Sequence, residues 1–328
     1  MTFRYLTTCS GVEAVTLGWA PLGARAVAYS DYDPDNDFPT RFLKERFPEI
    51  PNLGDMLKID GRLWRGRVDV LWGSTPCQSF SLGGLRKGIK DPRGALTPAL
   101  VGLANEIAPK VLCWENVDGV LTDKENAFGC FLAALAGSDT VLVAPGNKWP
   151  SAGYVVGPER RIAWRVLDAK HFFLAQQRRR VFLVACPVDG PDPREVLFEG
   201  FAPFDALGER RESWAPVVER RDVSTDAYAC AIRGRKHGQQ FEQGGLIANC
   251  LRASQGGSDK PQVLAKEADD QWRVRNMTPV EAERCMGMPD DWTLIPGASD
   301  SDRYHAIGNS LAVPCVRYIG ERLLKVLG

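Results

Sequence analysis

The clearest candidate for chemistry is a cysteine that directly follows a short apolar run. Pro76, Cys77 and Gln78 come after residues 68–72, and a thiol at a strand-to-loop junction can act as a nucleophile through its thiolate form. Taken alone, Cys77 is more simply a small buried hydrophobe, since the chain has nine cysteines. The next residues, 79–94, weaken that alternative, because they hold four glycines and four basic residues against one acid. We expect a cationic loop that closes over an anionic substrate.

A second candidate is the acid at the end of another apolar run. Glu115 and Asn116 follow residues 110–114. An isolated glutamate of this kind is more often a surface or capping residue. Beside a cysteine from a neighbouring strand end, Glu115 becomes a candidate proton donor, because a general acid must lie within reach of the reacting group.

Basic residues are concentrated before a third apolar run. Gln176, Arg178 and Arg180 lead into residues 181–184, and residues 160–180 hold seven basic residues and one acid. A solvated charged face explains this density, and so do contacts with phosphate groups. The formal net charge is zero, but a neutral protein can still present one basic face to nucleic acid.

The opening turn is a candidate nucleotide site. Ser10 and Gly11 follow the first strand-like run, and a glycine-containing strand-to-helix turn lets a ligand approach the backbone closely. Asp31 follows the next such run, where an acid can accept hydrogen bonds from ribose hydroxyls. Asp55 lies in a polar connection and is suited to accept from an exocyclic amine. A turn role explains each of these residues equally well.

The elements that must position these residues alternate between strand-like and helix-like patterns over the first 185 residues. This alternation predicts a parallel sheet covered by helices on both faces. Ligands of such sheets bind beyond the carboxyl ends of the strands, which is where the candidate residues stand. The strand-like runs are residues 5–9, 25–30, 68–72, 110–114 and 181–184. A final helix is predicted over residues 313–327, with Pro314 in its first turn.

Composition narrows the class of protein. With 44% hydrophobic and 25% charged residues among 328, the chain is globular rather than disordered or fibrous. It has no apolar run of 18 residues and no signal-peptide pattern at its start, so we expect neither a membrane span nor secretion. The cysteines form no C-x-x-C pair, which predicts no metal site and a reduced, cytoplasmic protein.

The chain divides by texture after Cys186. Residues 187–272 show weak periodicity and indicate a separate, loop-rich domain. We expect a catalytic domain formed by residues 1–186 and 304–328, and a smaller domain over residues 187–303.

Taken in order, these motifs and three later ones resemble the DNA (cytosine-5-)-methyltransferase family. The late motifs are 275–279, 285–292 and 308–310, and the order matches over nearly the whole chain. The resemblance implies a Rossmann-like α/β domain that binds S-adenosylmethionine, with a target-recognition domain beside it. The opening turn departs from the family, which usually has glycines where this chain has Glu13 and Ala14.

The resemblance also implies a mechanism for methylation of cytosine C5. The Cys77 thiolate adds to C6, Glu115 holds or protonates N3, and Arg178 steadies the edge of the base. The base must be flipped out of the duplex. The catalytic residues implied are Cys77, Glu115, Arg178 and Arg180. Those implied for the cofactor are Ser10, Gly11, Asp31, Tyr32, Asp55, Asn309 and Ser310.

The expected partner is double-stranded DNA, bound by a monomer. Residues proposed for DNA binding are Ser81, Arg86, Lys87, Lys90, Arg93, Arg233, Arg235, Lys236 and Arg252. An RNA cytosine-5 methyltransferase, a DNA-binding protein without activity, and transfer of a group other than methyl stay open as alternatives. So do the target sequence and whether a cognate restriction enzyme accompanies this protein in a restriction-modification pair.

Overall fold

A seven-stranded sheet occupies the first half of the chain. The computed structural model describes residues 2–75, 96–146, 148–198, 227–235, 238–245, 248, 250–251, 261–266 and 271–328. The strands of the sheet are β1 (Arg4–Thr8), β2 (Arg25–Ser30), β3 (Val70–Gly73), β4 (Val111–Val117), β5 (Ala152–Val156), β6 (Arg160–Asp168) and β7 (Arg179–Pro187). Their spatial order is β2-β1-β3-β4-β7-β6-β5.

The sheet has a parallel half and an antiparallel half. Strands β1 to β4 pair in parallel, whereas β7, β6 and β5 extend the sheet in antiparallel pairs. The predicted α/β fold class is confirmed. The run 181–184 lies in β7, so it joins the sheet as predicted but runs antiparallel to β4. The sequence reading did not predict β5 or β6.

Helices cover the sheet. They are α1 (Ala14–Trp19), α2 (Phe38–Arg46), α3 (Leu96–Ile107), α4 (Ala127–Ala136), α5 (Pro193–Leu197), α6 (Pro279–Met286), α7 (Asp300–Asn309) and α8 (Val313–Leu327). Alternate side chains of the central strands face two hydrophobic clusters. Tyr5 and Trp72 belong to one cluster, and their neighbours Leu6 and Leu71 belong to the other. This alternation is what a sheet buried on both faces requires.

A second, antiparallel sheet lies in the region that was expected to be loop-rich. Its strands are β8 (Ala227–Arg235), β9 (Gly238–Gly245), β10 (Pro261–Lys266) and β11 (Trp272–Asn276), in the order β11-β10-β8-β9. Met277, Cys285 and Ile295 pack in the same cluster as Tyr5 and Trp72. The domain limits at 187 and 303 stay a prediction. The three side chains belong to the predicted second domain, but they are buried in the same cluster as side chains of the first.

The C-terminal helix α8 returns to the first helix, α1. The indole Nε1 of Trp19 donates a hydrogen bond to the carbonyl oxygen of Val316 over 2.8 Å. Gly320 allows this approach, because a Cβ there would lie 2.4 Å from Cδ1 of Trp19. The helix has the bounds predicted from its periodicity. Within the described ranges, no helix is long and apolar enough to cross a membrane.

Replacing Gly320 by Ala tests this packing. We expect the free energy of unfolding to fall by about 1–3 kcal/mol, because the added methyl group overlaps the Trp19 ring. Gly102→Ala is the matched control, since its Cβ meets nothing within 4 Å in α3. That control should gain up to about 1 kcal/mol from helix propensity. Equal effects of both substitutions in urea unfolding would contradict the packing described here.

Candidate active site and its cofactor edge

The opening turn is joined to the strand next to it by a carboxylate. The backbone N–H of Gly11 donates to Oδ2 of Asp31 over 2.7 Å. Gly11 has a φ of 56°, and a Cβ there would meet no atom within 4 Å, so the space beside this backbone is open. Burial raises the pKa of Asp31 to about 6, and the Gly11 N–H acts in the opposite direction. The predicted Ser10-Gly11 and Asp31 positions therefore lie together.

An asparagine that sequence reasoning missed connects Asp31 to Gly54, the residue before Asp55. Oδ1 of Asn52 accepts hydrogen bonds from the backbone N–H groups of Asp31 and Gly54, over 3.0 and 3.1 Å. Its Nδ2 donates to the carbonyl oxygen of Asp31 over 3.1 Å. The hydroxyl of Ser30 adds a bond to the carbonyl oxygen of Gly54. Only the short spacing between Asn52 and Asp55 could have drawn attention to this amide.

The cofactor edge, where β1 and β2 end and where Gly11, Asp31 and Asp55 lie, also presents an aromatic ring. Tyr32 is 58% exposed, and Nζ of Lys58 lies 5.8 Å from its ring centroid. An exposed ring, acceptor carboxylates on Asp31 and Asp55, and open space beside Gly11 fit the adenosine part of S-adenosylmethionine. They would receive the base, its amine and the ribose hydroxyls.

The end of α7 meets the loop that follows β2. Nδ2 of Asn309 lies 3.4 Å from Nε2 of His305, and the other ring nitrogen of His305 lies 3.2 Å from Nδ2 of Asn36. Asn309 is exposed at this edge. Ser310 is buried, and its carbonyl oxygen accepts from the guanidinium of Arg178. The two residues thus have different surroundings, although they are adjacent.

Glu115 forms a buried ion pair at the carboxyl end of β4. Its Oε1 lies 3.1 Å from Nε of Arg180, and both side chains are largely shielded from solvent. Burial raises the pKa of Glu115, while the charges of Arg180 and then Arg178 act in the opposite direction. Because burial favours its protonated form and the arginines favour its charged form, this carboxyl group is suited to hold or give up a proton.

Arg178 is held by backbone carbonyl groups instead. Its Nη1 donates to Leu251 over 2.8 Å, and its Nη2 donates to Gly308 and Ser310 over 2.9 and 2.6 Å. Sγ of Cys250 lies 3.4 Å from Nη1. Burial lowers the pKa of Arg178 to about 10, which still leaves the guanidinium charged at neutral pH.

The approach to Cys77 is anchored by strand β4 and helix α3. Nδ2 of Asn116 donates to the carbonyl oxygen of Thr75 over 2.7 Å. The hydroxyl of Thr75 accepts from Nε1 of Trp114 and is bonded to the hydroxyl of Thr97, both at 3.1 Å. Cys77 itself lies outside the described residues, and the chain enters that segment from this fixed point.

Comparison with known proteins decides the family. The C-5 cytosine-specific DNA methylase family matches residues 3–196 and 206–325, which is almost the whole chain. The chain belongs to this family. The class predicted from the motifs, DNA (cytosine-5-)-methyltransferase, is confirmed.

Individual relatives of this methyltransferase match nearly the whole length of its chain. It is 32% identical to the DNA N-6-adenine-methyltransferase of Escherichia phage P1, over 98% of this chain and 61% of that protein. The chain thus spans about three fifths of that relative's length. It is 24% identical to the type II methyltransferase M.DsaV of Dactylococcopsis salina, over 99% of this chain and 86% of that protein. The crystal structure of the S. pombe Dnmt2 methyltransferase shares the fold, with a TM-score of 0.67, 17% identity and coverage of 98% and 99% of the two chains.

Most arginines of the basic stretch 160–180 have structural partners in the methyltransferase. Arg160 donates to the carbonyl oxygen of Leu135, Arg161 to that of Gly190, and Arg165 to that of Leu197. Arg179 pairs with Asp118 at the surface. The density that suggested phosphate contacts is explained in large part by β6, whose side chains tie the sheet to neighbouring segments.

The residues predicted to bind DNA are only partly within the described structure. Arg233 and Arg235 lie in β8. The others are outside the described residues: Ser81, Arg86, Lys87, Lys90, Arg93, Lys236 and Arg252. Their roles stay predictions.

Replacing Arg178 by Gln tests whether its bonds hold the site together. We expect the free energy of unfolding to fall by about 3 kcal/mol or more, because three buried carbonyl groups lose a charged donor. Arg179→Gln is the control, since its pair with Asp118 is exposed and should contribute about 1 kcal/mol at most. Losses of similar size for both substitutions, measured by urea unfolding, would contradict the structural role of Arg178.

Proposed function

We propose that this methyltransferase transfers a methyl group from S-adenosylmethionine to C5 of cytosine in one short sequence of duplex DNA. The observation that carries the proposal is the position of the Glu115–Arg180 ion pair next to the tie between Asn116 and Thr75. Thr75 leads directly to Cys77, and β3 and β4 are neighbouring parallel strands. The general acid therefore lies near the carboxyl end of β4, and the nucleophile follows the end of the neighbouring strand β3 in sequence.

The chemistry explains why these residue types are needed. C5 of cytosine is a poor nucleophile, so the Cys77 thiolate first forms a bond to C6. The electron pair of the C5–C6 double bond shifts toward N3, where Glu115 supplies a proton, and C5 becomes nucleophilic. Bound S-adenosylmethionine would supply an electrophilic methyl group for the new bond to C5, with the thioether S-adenosylhomocysteine as the leaving group. When C5 then loses its proton and N3 returns its own, the double bond re-forms and the cysteine leaves as a thiolate.

The two arginines receive different roles in this proposal. Arg180 pairs with Glu115, so it keeps the carboxyl group oriented and near the base. Arg178 is assigned a positioning role, because its guanidinium is already bonded to backbone carbonyl groups on both sides.

The cofactor is assigned to the edge where β1, β2 and α7 end. Gly11 lets the ligand approach the backbone, Asp31 and Asp55 accept hydrogen bonds, and Tyr32 offers its ring to the base. Asn309 and its neighbour Ser310 close the site from the end of α7, and Ser10 supports the turn. These residues hold and orient the ligand and do not take part in proton transfer.

The DNA must be deformed for this reaction. The target cytosine is flipped out of the stack at a cost of a few kcal/mol, and the basic residues 79–94 are assigned to close over it. Side chains of residues 187–303 are assigned to read base edges in the major groove. The protein is proposed to act as a monomer.

N6 methylation of adenine is a second candidate, because the phage P1 relative is named for that reaction. That protein extends well beyond the match, and the unmatched part can carry the adenine activity. The present chain has the cysteine and glutamate that addition to C6 requires, and transfer to an exocyclic amine needs no such nucleophile.

The deciding experiment is product analysis. Wild-type protein, Cys77→Ala and Glu115→Gln are incubated with methyl-tritiated S-adenosylmethionine and duplex DNA of mixed sequence, and the nucleosides are separated after digestion. We expect label in 5-methyl-2′-deoxycytidine for the wild type, none for Cys77→Ala and a loss of at least about 100-fold for Glu115→Gln, the scale of general acid catalysis.

The alternatives give distinct results in the same assay. Label in N6-methyladenine would establish the second candidate and contradict the first. In a parallel incubation with RNA in place of DNA, label in RNA together with none in DNA would move the substrate to RNA. Full labelling of cytosine by Cys77→Ala would contradict the assigned nucleophile.

A further inference from the structure

A glutamate occupies a backbone position that favours glycine in the cofactor turn. Glu13 has a φ of 51° and precedes α1. Cys9 and Gly11 in the same turn also have positive φ, so three left-handed residues lie within five positions. A residue with a Cβ costs about 1–2 kcal/mol in this conformation. Something must offset that cost at Glu13, whose side chain is completely buried.

The Glu13 carboxylate is held by two threonine hydroxyls. Oε1 accepts from Thr7 in β1, and Oε2 accepts from Thr16 in α1, each over 2.6 Å. The Thr16 hydroxyl is also bonded to the hydroxyls of Tyr5 and Tyr29, at 2.9 and 3.0 Å. The carboxylate therefore joins the strand before the turn to the helix after it.

The same network reaches the cofactor residues. The Thr7 hydroxyl is bonded to the hydroxyl of Ser10 at 2.6 Å, and the backbone N–H of Glu13 donates to the carbonyl oxygen of Ser10 over 3.0 Å. Gly11 stands next to Ser10 and donates its N–H to Asp31. A change at Glu13 thus passes through Thr7 to the two residues that form the open edge of the turn.

We propose that Glu13 is a positioning residue that fixes the cofactor turn through its side chain, in place of a glycine at this position. The inference rests on the proposed use of S-adenosylmethionine at this edge. It specifies that the network formed by Thr7, Ser10, Glu13 and Thr16, rather than backbone freedom, gives the turn its binding conformation.

The protonation of the Glu13 carboxyl group determines which substitutions keep the network and which remove it. Burial raises the pKa of Glu13 to about 7, and the hydroxyls of Thr16, Thr7 and Ser10 lower it. The titratable groups that face it are Tyr5 and Tyr29, whose pKa values are raised mainly by burial, and Asp31 lies across the turn. Because a glutamine has the size of a protonated glutamate, Glu13→Gln keeps most of the network, whereas Glu13→Ala and Glu13→Gly remove it.

The experiment measures S-adenosylmethionine binding to the full chain by titration calorimetry, well below the unfolding temperature of each variant. We expect Kd to rise at least about tenfold for Glu13→Ala and Glu13→Gly, and less than about threefold for Glu13→Gln. Thr7→Val removes the hydroxyl that bonds both Glu13 and Ser10, and it should raise Kd by a similar factor to Glu13→Ala. Glu321→Gln, at an exposed site on α8, is the control that leaves Kd unchanged.

Kinetics add a readout that a general loss of stability does not move. With DNA, KM for S-adenosylmethionine should rise in Glu13→Gly while KM for DNA stays within about twofold. Wild-type Kd in Glu13→Gly, or in Thr7→Val, would overturn this inference while leaving the proposed function intact. Failure of the wild type to bind S-adenosylmethionine would overturn both.

Discussion

The buried guanidinium of Arg178 is the contact on which the arrangement of the site depends. It donates to carbonyl oxygens of residue 251, which lies beyond the described strands β8 and β9, and of residues 308 and 310 at the end of α7. Its bonds to three carbonyl oxygens stabilise this buried charge, whereas its Nε has no hydrogen-bond partner among the described residues. The sheet, the cofactor edge and the segment between β9 and β10 therefore share one fixed point.

The neighbouring arginine has a different role because its guanidinium has a different partner. Arg178 directly precedes β7 and Arg180 lies within it, and both guanidinium groups approach Sγ of Cys250, yet Arg180 reaches Glu115 on β4. The pairing of β4 with β7 places Val117 opposite Arg180. The ion pair thus depends on the register of two strands, and that register is set by the buried faces of the sheet.

The parallel half of the sheet could be predicted because its strands bury both faces and are separated by helices with clear periodicity. The run 25–30 and the helix at 313–327 have the predicted bounds, and the ordered motifs were enough to predict the family. Strands β5 and β6 were not predicted, because the arginines of β6 resemble an exposed stretch of chain until their carbonyl partners are known. The role of Asn52 was not predicted for a related reason, since it depends on contacts with a residue distant in sequence, Asp31.

The departure at Glu13 shows where a family pattern stops being informative. A sequence comparison can report that a glycine is missing, but only the placement of Thr7 and Thr16 shows that the carboxylate is bonded on both sides. Side-chain networks of this kind depend on the directions of three separate elements, and no local pattern encodes those directions. The same limit applies to Arg178, because its motif position predicts contact with the base but carries no information on its bonds to backbone carbonyl groups.

In the proposed reaction, Cys77 attacks cytosine C6 and leaves only when C5 loses its proton. Duplex DNA in which cytosine is replaced by 5-fluorocytosine tests it most directly, because fluorine at C5 cannot leave as a proton does. With S-adenosylmethionine present, we expect a stable complex whose mass is that of the protein, the DNA and one methyl group. Peptide mass spectrometry should locate the covalent bond at Cys77. Two results would contradict this mechanism. One is that no covalent complex forms on the 5-fluorocytosine DNA although the same DNA with ordinary cytosine is methylated. The other is a bond at a residue other than Cys77.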